Sequence, residues 1–396
     1  MAQVAGTRYS YSDAAYSINP LSPQKRAIAD MIDMIEPKEV PLLKYLGIGE
    51  KGSGGGSKAS KFRITNWPST RVQWLEDTLA PISSTLAETM AATNATATLQ
   101  LTFGAANYWR HGDVLLVDNE RLFVETISGI SATVQRLFGG SAVQDTTSHA
   151  TSAVVTLIGR ARDEGATSEA DYTTQVVDKY NYTQIWQAEV KVTRTQNKMM
   201  NYGMGAEYDY QLSKKFVEQL KLLEATLYNG VRLAGSATTN VPRSMGGLKT
   251  FITTNTASLS SAALTQKDLE DKIQQAWVAG GNPNLIVCNA WVKRKISSFY
   301  APYVRTTRTE STGGVTIDTI ETEFGTLEIL MDRWCPSTEL YILSPEYIGI
   351  LPFDPFFDEP LAKTGDFMAG QIVGEYTMIV KNDTAHARLI GISTTS

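Results

Sequence analysis

The sequence predicts an α+β fold in which a small all-β module interrupts a larger mixed unit, and three observations carry that prediction. From Gly205 onward, apolar residues recur at spacings of three and four, through Tyr208, Leu212, Phe216, Leu220, Leu223 and Leu227. Between residues 92 and 159 the period shortens to two, and HGDVLLVDNERLFVETISG, ATVQRLFGG and SAVVTLIG read as short β runs broken by turn residues. Beyond residue 265, helical and strand-like runs alternate, as in a mixed α/β unit.

Taken in order, the first element is a short amphipathic helix. Ser22-Pro23 supplies an N-cap and a first-turn proline, Ile28, Met31, Ile32 and Ile35 supply one apolar face, and Glu36-Pro37 ends it. A glycine-rich run, GEKGSGGGSKASKF, follows, and then the alternating Phe62-Arg63-Ile64-Thr65. After the β module, VVDKYNYTQIWQAEVKVT is rich in β-branched and aromatic residues and reads as the return strand of an extended arm.

The stripe from Gly205 predicts a helix of about 28 residues, on the order of 40 Å long. Its polar face carries the spacings Lys214 to Glu218, Glu218 to Lys221 and Lys221 to Glu224. Thr265 with Asp268 is an acidic form of the capping box and opens a helix that stops at Gly280-Gly281. NLIVCNAWVKRKISSFY predicts a buried strand from Leu285 to Cys288 and a helix from Ala290. VTIDTIETEFGTLEILMD predicts a hairpin, ELYILS a strand, and GEYTMIVKNDTAHARLIGIS two antiparallel strands turning at Asn382-Asp383.

The glycine run decides the class of function. A phosphate-binding loop needs lysine after glycine and a hydroxyl after lysine, but Lys58 follows Ser57 and precedes Ala59. A nucleophile elbow needs a buried strand before it and a helix after it, and neither flank supplies one. What remains is mechanical: Gly52, Gly54, Gly55 and Gly56 make a hinge that feeds an extended arm. Lys51, Lys58, Lys61, Arg63 and Arg71 lie on that arm with no acid among them.

No catalytic constellation or cofactor site emerges. His111, His149 and His386 fall on separate β segments without a second ligand at metal-binding spacing. PFDPFFDEP, with Asp354, Asp358 and Glu359, reads as a rigid proline-framed turn. Asp163-Glu164 reads as a solvated turn, and Asp113, Asp118 and Glu120 as acids that close hairpins. Cys288 and Cys335 lack partners at metal-ligand spacing and predict neither a disulfide framework nor a zinc knuckle.

A net charge of -5 argues against a protein that coats DNA over its whole surface. The absence of an apolar run of roughly 20 residues predicts a soluble chain with no membrane partner. Extended arms that cannot bury themselves, on a chain without an active site, point to assembly with neighbours.

The order of these pieces resembles the major capsid proteins of tailed bacteriophages, which share the Hong Kong 97-type fold. VPLLKYLG, TRVQWLEDTLA, NYTQIWQAEVKVTRT, YGMGAEYDYQLSKKFVEQLKLLEATLYNG, MGGLKTFI, DLEDKIQQAWVAGGNPNLIVCNAWVKRKIS and GEYTMIVKN carry the likeness over nearly the whole chain. The resemblance implies an N-terminal arm at 1–48, an extended loop (E-loop) at 49–91 and 160–200, and a β insertion domain at 92–159. It further implies a P-domain with a long spine helix at 201–243 and 366–396, and an A-domain at 244–365. The short arm before Pro37 predicts no N-terminal scaffold segment.

By the same resemblance the chain is a non-enzymatic virion protein. It is expected to form hexamers and pentamers of an icosahedral shell around double-stranded DNA, assembled in the bacterial host cytoplasm. Portal, scaffold and cement or decoration proteins are the implied partners, with weak, non-specific contact to the packaged DNA. Lys58, Lys61, Arg63, Trp67, Arg71 and Trp74 are the implied contacts of the extended loop with a neighbour. Glu207, Glu218 and Glu224 are the implied partner face of the spine helix. The alternatives are a shell of the same fold around a protein cargo, as in encapsulins, and a tail or adhesion protein.

Overall fold

The computed structural model describes residues 39–47, 69–90, 96–100, 109–129, 131–136, 138–139, 148–162, 164–167, 174–199, 206–236, 238, 240–300 and 318–394. The helix predicted from Ser22 and the glycine hinge lie outside these residues. The chain divides into two compact units, one formed by residues up to Val72 with Asn181–Ser396, the other by Gln73–Tyr180.

Helix α1 (Pro41–Leu46) opens the larger unit and strand β1 (Arg71–Glu76) leads into the smaller. The smaller unit is built on one sheet of β2 (Ser83–Thr85), β3 (Thr96–Gln100), β4 (Asp113–Val117), β5 (Glu120–Ser128), β6 (Ser131–Gln135) and β7 (Val154–Arg160). They pair antiparallel in the order β2-β7-β4-β5-β6-β3.

Alternation sets its single core: Leu115 and Val117 of β4, Leu122 and Val124 of β5, Ala132 and Val134 of β6 and Val155 of β7 point to one face. There they meet Leu86, Met90 and Trp109. The β4–β5 turn is two residues long because Asp118 takes the left-handed conformation, φ 52°.

The chain returns through β8 (Val177–Tyr182), paired with β1, and β9 (Gln184–Thr193). The predicted single return strand is thus broken at Thr183. Its first half pairs with the outgoing strand, and its second half belongs to another sheet. After α2 (Arg194–Lys198) comes the spine helix α3 (Glu207–Asn229), 23 residues long. It is shorter than its apolar stripe suggested, because Gly230 ends it where the backbone of residues 245–247 crosses. Only its C-terminal half is buried, through Leu223, Leu227 and Tyr228.

Next come α4 (Leu248–Phe251), β10 (Thr256–Ser258), α5 (Gln266–Val278), β11 (Leu285–Cys288), α6 (Ala290–Tyr300), β12 (Thr319–Thr322), β13 (Gly325–Met331) and β14 (Leu340–Leu343). They are followed by β15 (Ile348–Pro360), β16 (Phe367–Val380) and β17 (Ala387–Ile390). A six-stranded mixed sheet runs β10-β17-β14-β11-β13-β12.

Every residue of β11 and β14 is buried, which is why NLIVC and LYILS read as unbroken apolar runs. One face sends Leu285, Val287, Tyr341 and Leu343 into a core shared with α1 and α3. The other sends Ile286, Cys288, Leu340 and Ile342 into a core shared with α5 and α6.

The capping box of α5 forms as the sequence predicts: Thr265 Oγ1 accepts from Asp268 N, and Asp268 Oδ2 accepts from Thr265 N. Thr265→Ala is expected to lower stability by about 1 kcal/mol, read as a drop in the denaturation midpoint. An unchanged midpoint would show that the cap is redundant.

Two predictions in this region are corrected. PFDPFFDEP is the outer half of the 13-residue strand β15 and not a turn. It pairs with β16, and register shifts between Pro352 and Asp354 and between Asp354 and Phe357 absorb Pro352 and Pro355 on an edge strand.

The last two strands do not form a hairpin either. β16 lies between β15 and β9, whereas β17 crosses into the six-stranded sheet between β10 and β14. Asn382, at φ 52°, and a short 3-10 turn, Asp383–Ala385, redirect the chain.

Candidate functional site

The break at Thr183, between β8 and β9, is tied by side chains distant in sequence. Asn181 Nδ2 donates to the carbonyls of Gly246 (3.1 Å) and Met378 (2.7 Å), while its Oδ1 accepts from Gly246 N (2.8 Å). Arg243 Nε donates to Thr183 O at 2.7 Å, and its guanidinium pairs with Glu375, which also accepts from the Thr183 hydroxyl. None of these residues stood out in the sequence, since their partners lie 60 or more positions away.

Of the predicted contact residues, Lys58, Lys61, Arg63 and Trp67 lie outside the described residues, as do Gly52, Gly54, Gly55 and Gly56. Arg71 lies on the exposed face of β1. Trp74 is buried in its own chain, its Nε1 donating to Glu76 Oε1 at 2.9 Å, so it packs the subunit instead of presenting an indole to a neighbour. Glu207 and Glu218 remain on the outer part of α3, about 20° apart in projection. Glu207 accepts from Gln211, and Glu218 pairs with Lys215 at 2.6 Å.

Glu224 is the clearest correction to the predicted partner face. It is fully buried: Oε1 accepts from Leu42 N at 2.7 Å and Oε2 from Leu43 N at 3.1 Å, so it caps helix α1 of its own chain. Asp332, also fully buried, is hydrogen-bonded to it. Burial, with Asp332 alongside, pushes the Glu224 carboxyl up to about 8. Tyr228 donates its hydroxyl to Asp332 and is itself held well above the usual tyrosine value by burial and by that carboxylate.

The smaller unit holds a second buried charge cluster. Glu120 accepts from Arg136 Nε (2.8 Å) and Nη2 (2.6 Å), and His149 bridges Glu120 Oε2 (2.8 Å) and Asp118 Oδ2 (2.7 Å). Burial opposes ionisation of Glu120, but the bonds from Arg136 and His149 hold it below the ordinary glutamate range. These acids therefore do more than close hairpins, and His149 is not isolated. Among the described residues, no group of three or more His, Cys, Asp or Glu is placed to hold a metal ion.

His386 is buried and neutral: Nδ1 accepts from Ser344 N, and Nε2 donates to Lys381 O. Burial lowers its value from 6.5 to about 4. The unfolded chain therefore binds the extra proton first, and stability present above pH 6.5 is lost as pH falls toward 4, by up to about 3 kcal/mol. Urea midpoints at pH 7 and pH 4.5 are expected to differ less in His386→Asn than in the wild type. Equal pH slopes would remove His386 from the account.

Both thiols are buried and free, and burial pushes Cys288 up to about 12, which leaves it unreactive near neutrality. No helix among the described residues is long and apolar enough to cross a membrane.

The sequence profile of the SU10 major capsid protein family matches residues 4–393. The chain belongs to the SU10 major capsid protein family. It is a structural protein of a tailed-phage head shell. The fold of this capsid protein is similar to that of the cyanophage A-1(L) capsid, with a TM-score of 0.57 at 11% identity over 95% of this chain and 99% of that one. It is also similar to the capsid of a native GTA particle, with a TM-score of 0.53 at 8% identity over 97% and 100% of the two chains. The capsid of the empty GTA particle gives a TM-score of 0.52 at 9% identity over the same shares. No curated protein matches this capsid protein by sequence. At these identities the likeness is one of fold, the Hong Kong 97-type arrangement that the order of sequence elements resembles.

Proposed function

We propose that this capsid protein assembles with copies of itself into hexamers and pentamers that close an icosahedral shell around double-stranded DNA in the bacterial host cytoplasm. The family match over residues 4–393 carries the reading. The ribbon of residues 49–91 and 160–200 acts as the E-loop and lies over an adjacent subunit, with the β module at 92–159 as an insertion on it. Residues 201–243 and 366–396 serve as the P-domain and 244–365 as the A-domain.

Three exposed apolar side chains close together in sequence support a covered segment: Leu75 is 68% exposed, Leu79 94% and Ile82 64%. The exposed Lys215–Glu218 pair lies within α3 and contributes about 0–1 kcal/mol to that helix. Apolar burial, over roughly 2,000–5,000 Å² in obligate interfaces, supplies the strength. Portal, scaffold and decoration proteins are further partners, and the net charge of -5 keeps contact with the packaged DNA weak.

The test is to express the full chain alone and follow it by sedimentation and negative-stain microscopy. Capsomer rings or hollow particles are expected. A compact monomer at high concentration overturns the proposal.

A further inference from the structure

The segment 39–47 packs on the rest of the larger unit. Leu42, Leu43 and Leu46 of α1 enter the core beside α3. Trp334 Nε1 donates to Glu39 O at 3.1 Å, and Tyr45 donates its hydroxyl to Glu328 at 3.2 Å. These contacts would be ordinary packing were it not for what lies under the first turn of α1. The two amides at Leu42 and Leu43 end on one carboxyl, Glu224, and that carboxyl is bonded to a second one, Asp332.

Asp332 is committed on its other sides. Tyr228 donates to Oδ2, and Trp334 N donates to Oδ1 at 2.9 Å. Among the described residues no lysine, arginine or histidine pairs with either acid. The other titratable groups around them are Tyr228 on α3, Cys335 in the loop after β13, Tyr341 of β14, its ring tilted against that of Tyr228 at 5.7 Å, Tyr45 with Glu328 at the far end of α1, and, beyond Cys335 and Tyr341, Arg388 with Glu339. The cation among them, Arg388, is paired with Glu339 at 2.9 Å, so it is not available to offset a second negative charge at Glu224 and Asp332. Burial, with the Asp332 carboxyl in contact, keeps the Glu224 carboxyl protonated, because a second negative charge there would have no cation to offset it.

We propose that Glu224 and Asp332 form a pH-sensitive latch: with Glu224 protonated they hold α1 on the body, and loss of that proton to solvent loosens it. The latch would set how firmly α1 is joined to the rest of the larger unit. The sign follows from the raised value of Glu224. The docked state keeps its proton up to about pH 8, whereas an undocked glutamate releases it near its ordinary value. Undocking is therefore favoured as pH rises between these limits, by about tenfold from pH 6 to pH 7, and levels off above pH 8.

Hydrogen exchange at the Leu42 and Leu43 amides of the full chain tests this, whether or not the chain assembles. Wild type and Glu224→Gln are compared at each pH from 6 to 9, so that the intrinsic exchange chemistry cancels. The glutamine cannot ionise; it keeps one acceptor, Oε1, where Glu224 offers each amide its own oxygen, and its Nε2 donates to Asp332, so the pH slope of the ratio is read and not its absolute level. The ratio of wild-type to variant exchange is expected to climb about tenfold between pH 6 and 7 and to flatten above pH 8.

Protection of β16 amides serves as the internal standard of folding. A constant ratio across the range overturns the latch. If Glu224→Gln loses β16 protection, the wild type decides alone: opening at Leu42 and Leu43, corrected for intrinsic rate, rises with pH, and a level profile overturns the proposal. Asp332→Asn removes the second charge but leaves Glu224 buried, so it is expected to make the pH dependence shallower without abolishing it, and an undiminished slope also counts against the latch.

Discussion

Arg136→Met is expected to destabilise the β module by about 3–5 kcal/mol, the cost of removing one partner from a buried ion pair. The Arg136 side chain is 2% exposed and that of Glu120 is fully buried. Methionine keeps much of the arginine stem's volume but removes the guanidinium from Glu120, leaving the bond with His149 Nε2. A domain of this size has about 5–15 kcal/mol of net stability, so the loss is a large part of the whole. Trp109 sits in the same core and reports on it.

Denaturant titration followed by tryptophan fluorescence is expected to show an early transition in the variant. A second substitution, Glu120→Gln, removes the stranded charge and is expected to recover part of the loss. A midpoint shift worth less than about 1 kcal/mol for Arg136→Met would show that water reaches Glu120 and that the pair is peripheral.

The other large effect is expected at Gly247. A Cβ there would lie 2.6 Å from Thr226 O, 2.7 Å from Gly230 N and 2.8 Å from Leu227 O, all backbone atoms. No side chain can rotate out of the way, and Gly247 N is also committed to Gly230 O at 2.9 Å. Gly247→Ala must therefore push residues 245–247 off the end of the spine helix, at a cost of about 3 kcal/mol or more. The displacement would also break the bonds between Asn181 and Gly246 that tie the end of β8 to this crossing, so assembly is expected to fail along with stability.

Gly159→Ala is the matched control. A Cβ at this position would meet nothing within 4 Å and the backbone needs no positive φ, so the change is expected to be neutral or stabilising by about 0.4–1 kcal/mol. Equal melting temperatures and equal assembly for the two variants would show that the backbone crossing at Gly247 yields easily.

Local signals in this chain were readable without the structure because their cause is local. The Thr265 and Asp268 box lies within one turn of helix, β11 and β14 are apolar on both faces because both faces are buried, and α3 carries its own 3.6-residue stripe. The order of such elements was enough to place the chain in its fold class and among phage capsid proteins.

Spacing along the chain could not say which way Glu224 points, because its partners Leu42 and Asp332 are more than 100 positions away in sequence. The same holds for Trp74, which turns inward, for His149 meeting Glu120 across the β module, and for β16 and β17, which part into different sheets. Helix and strand are dictated by periodicity and by hydrogen bonds between near neighbours. The pairing of strands and the fate of each charged group depend on which distant surfaces exclude water together, and only the folded chain determines that.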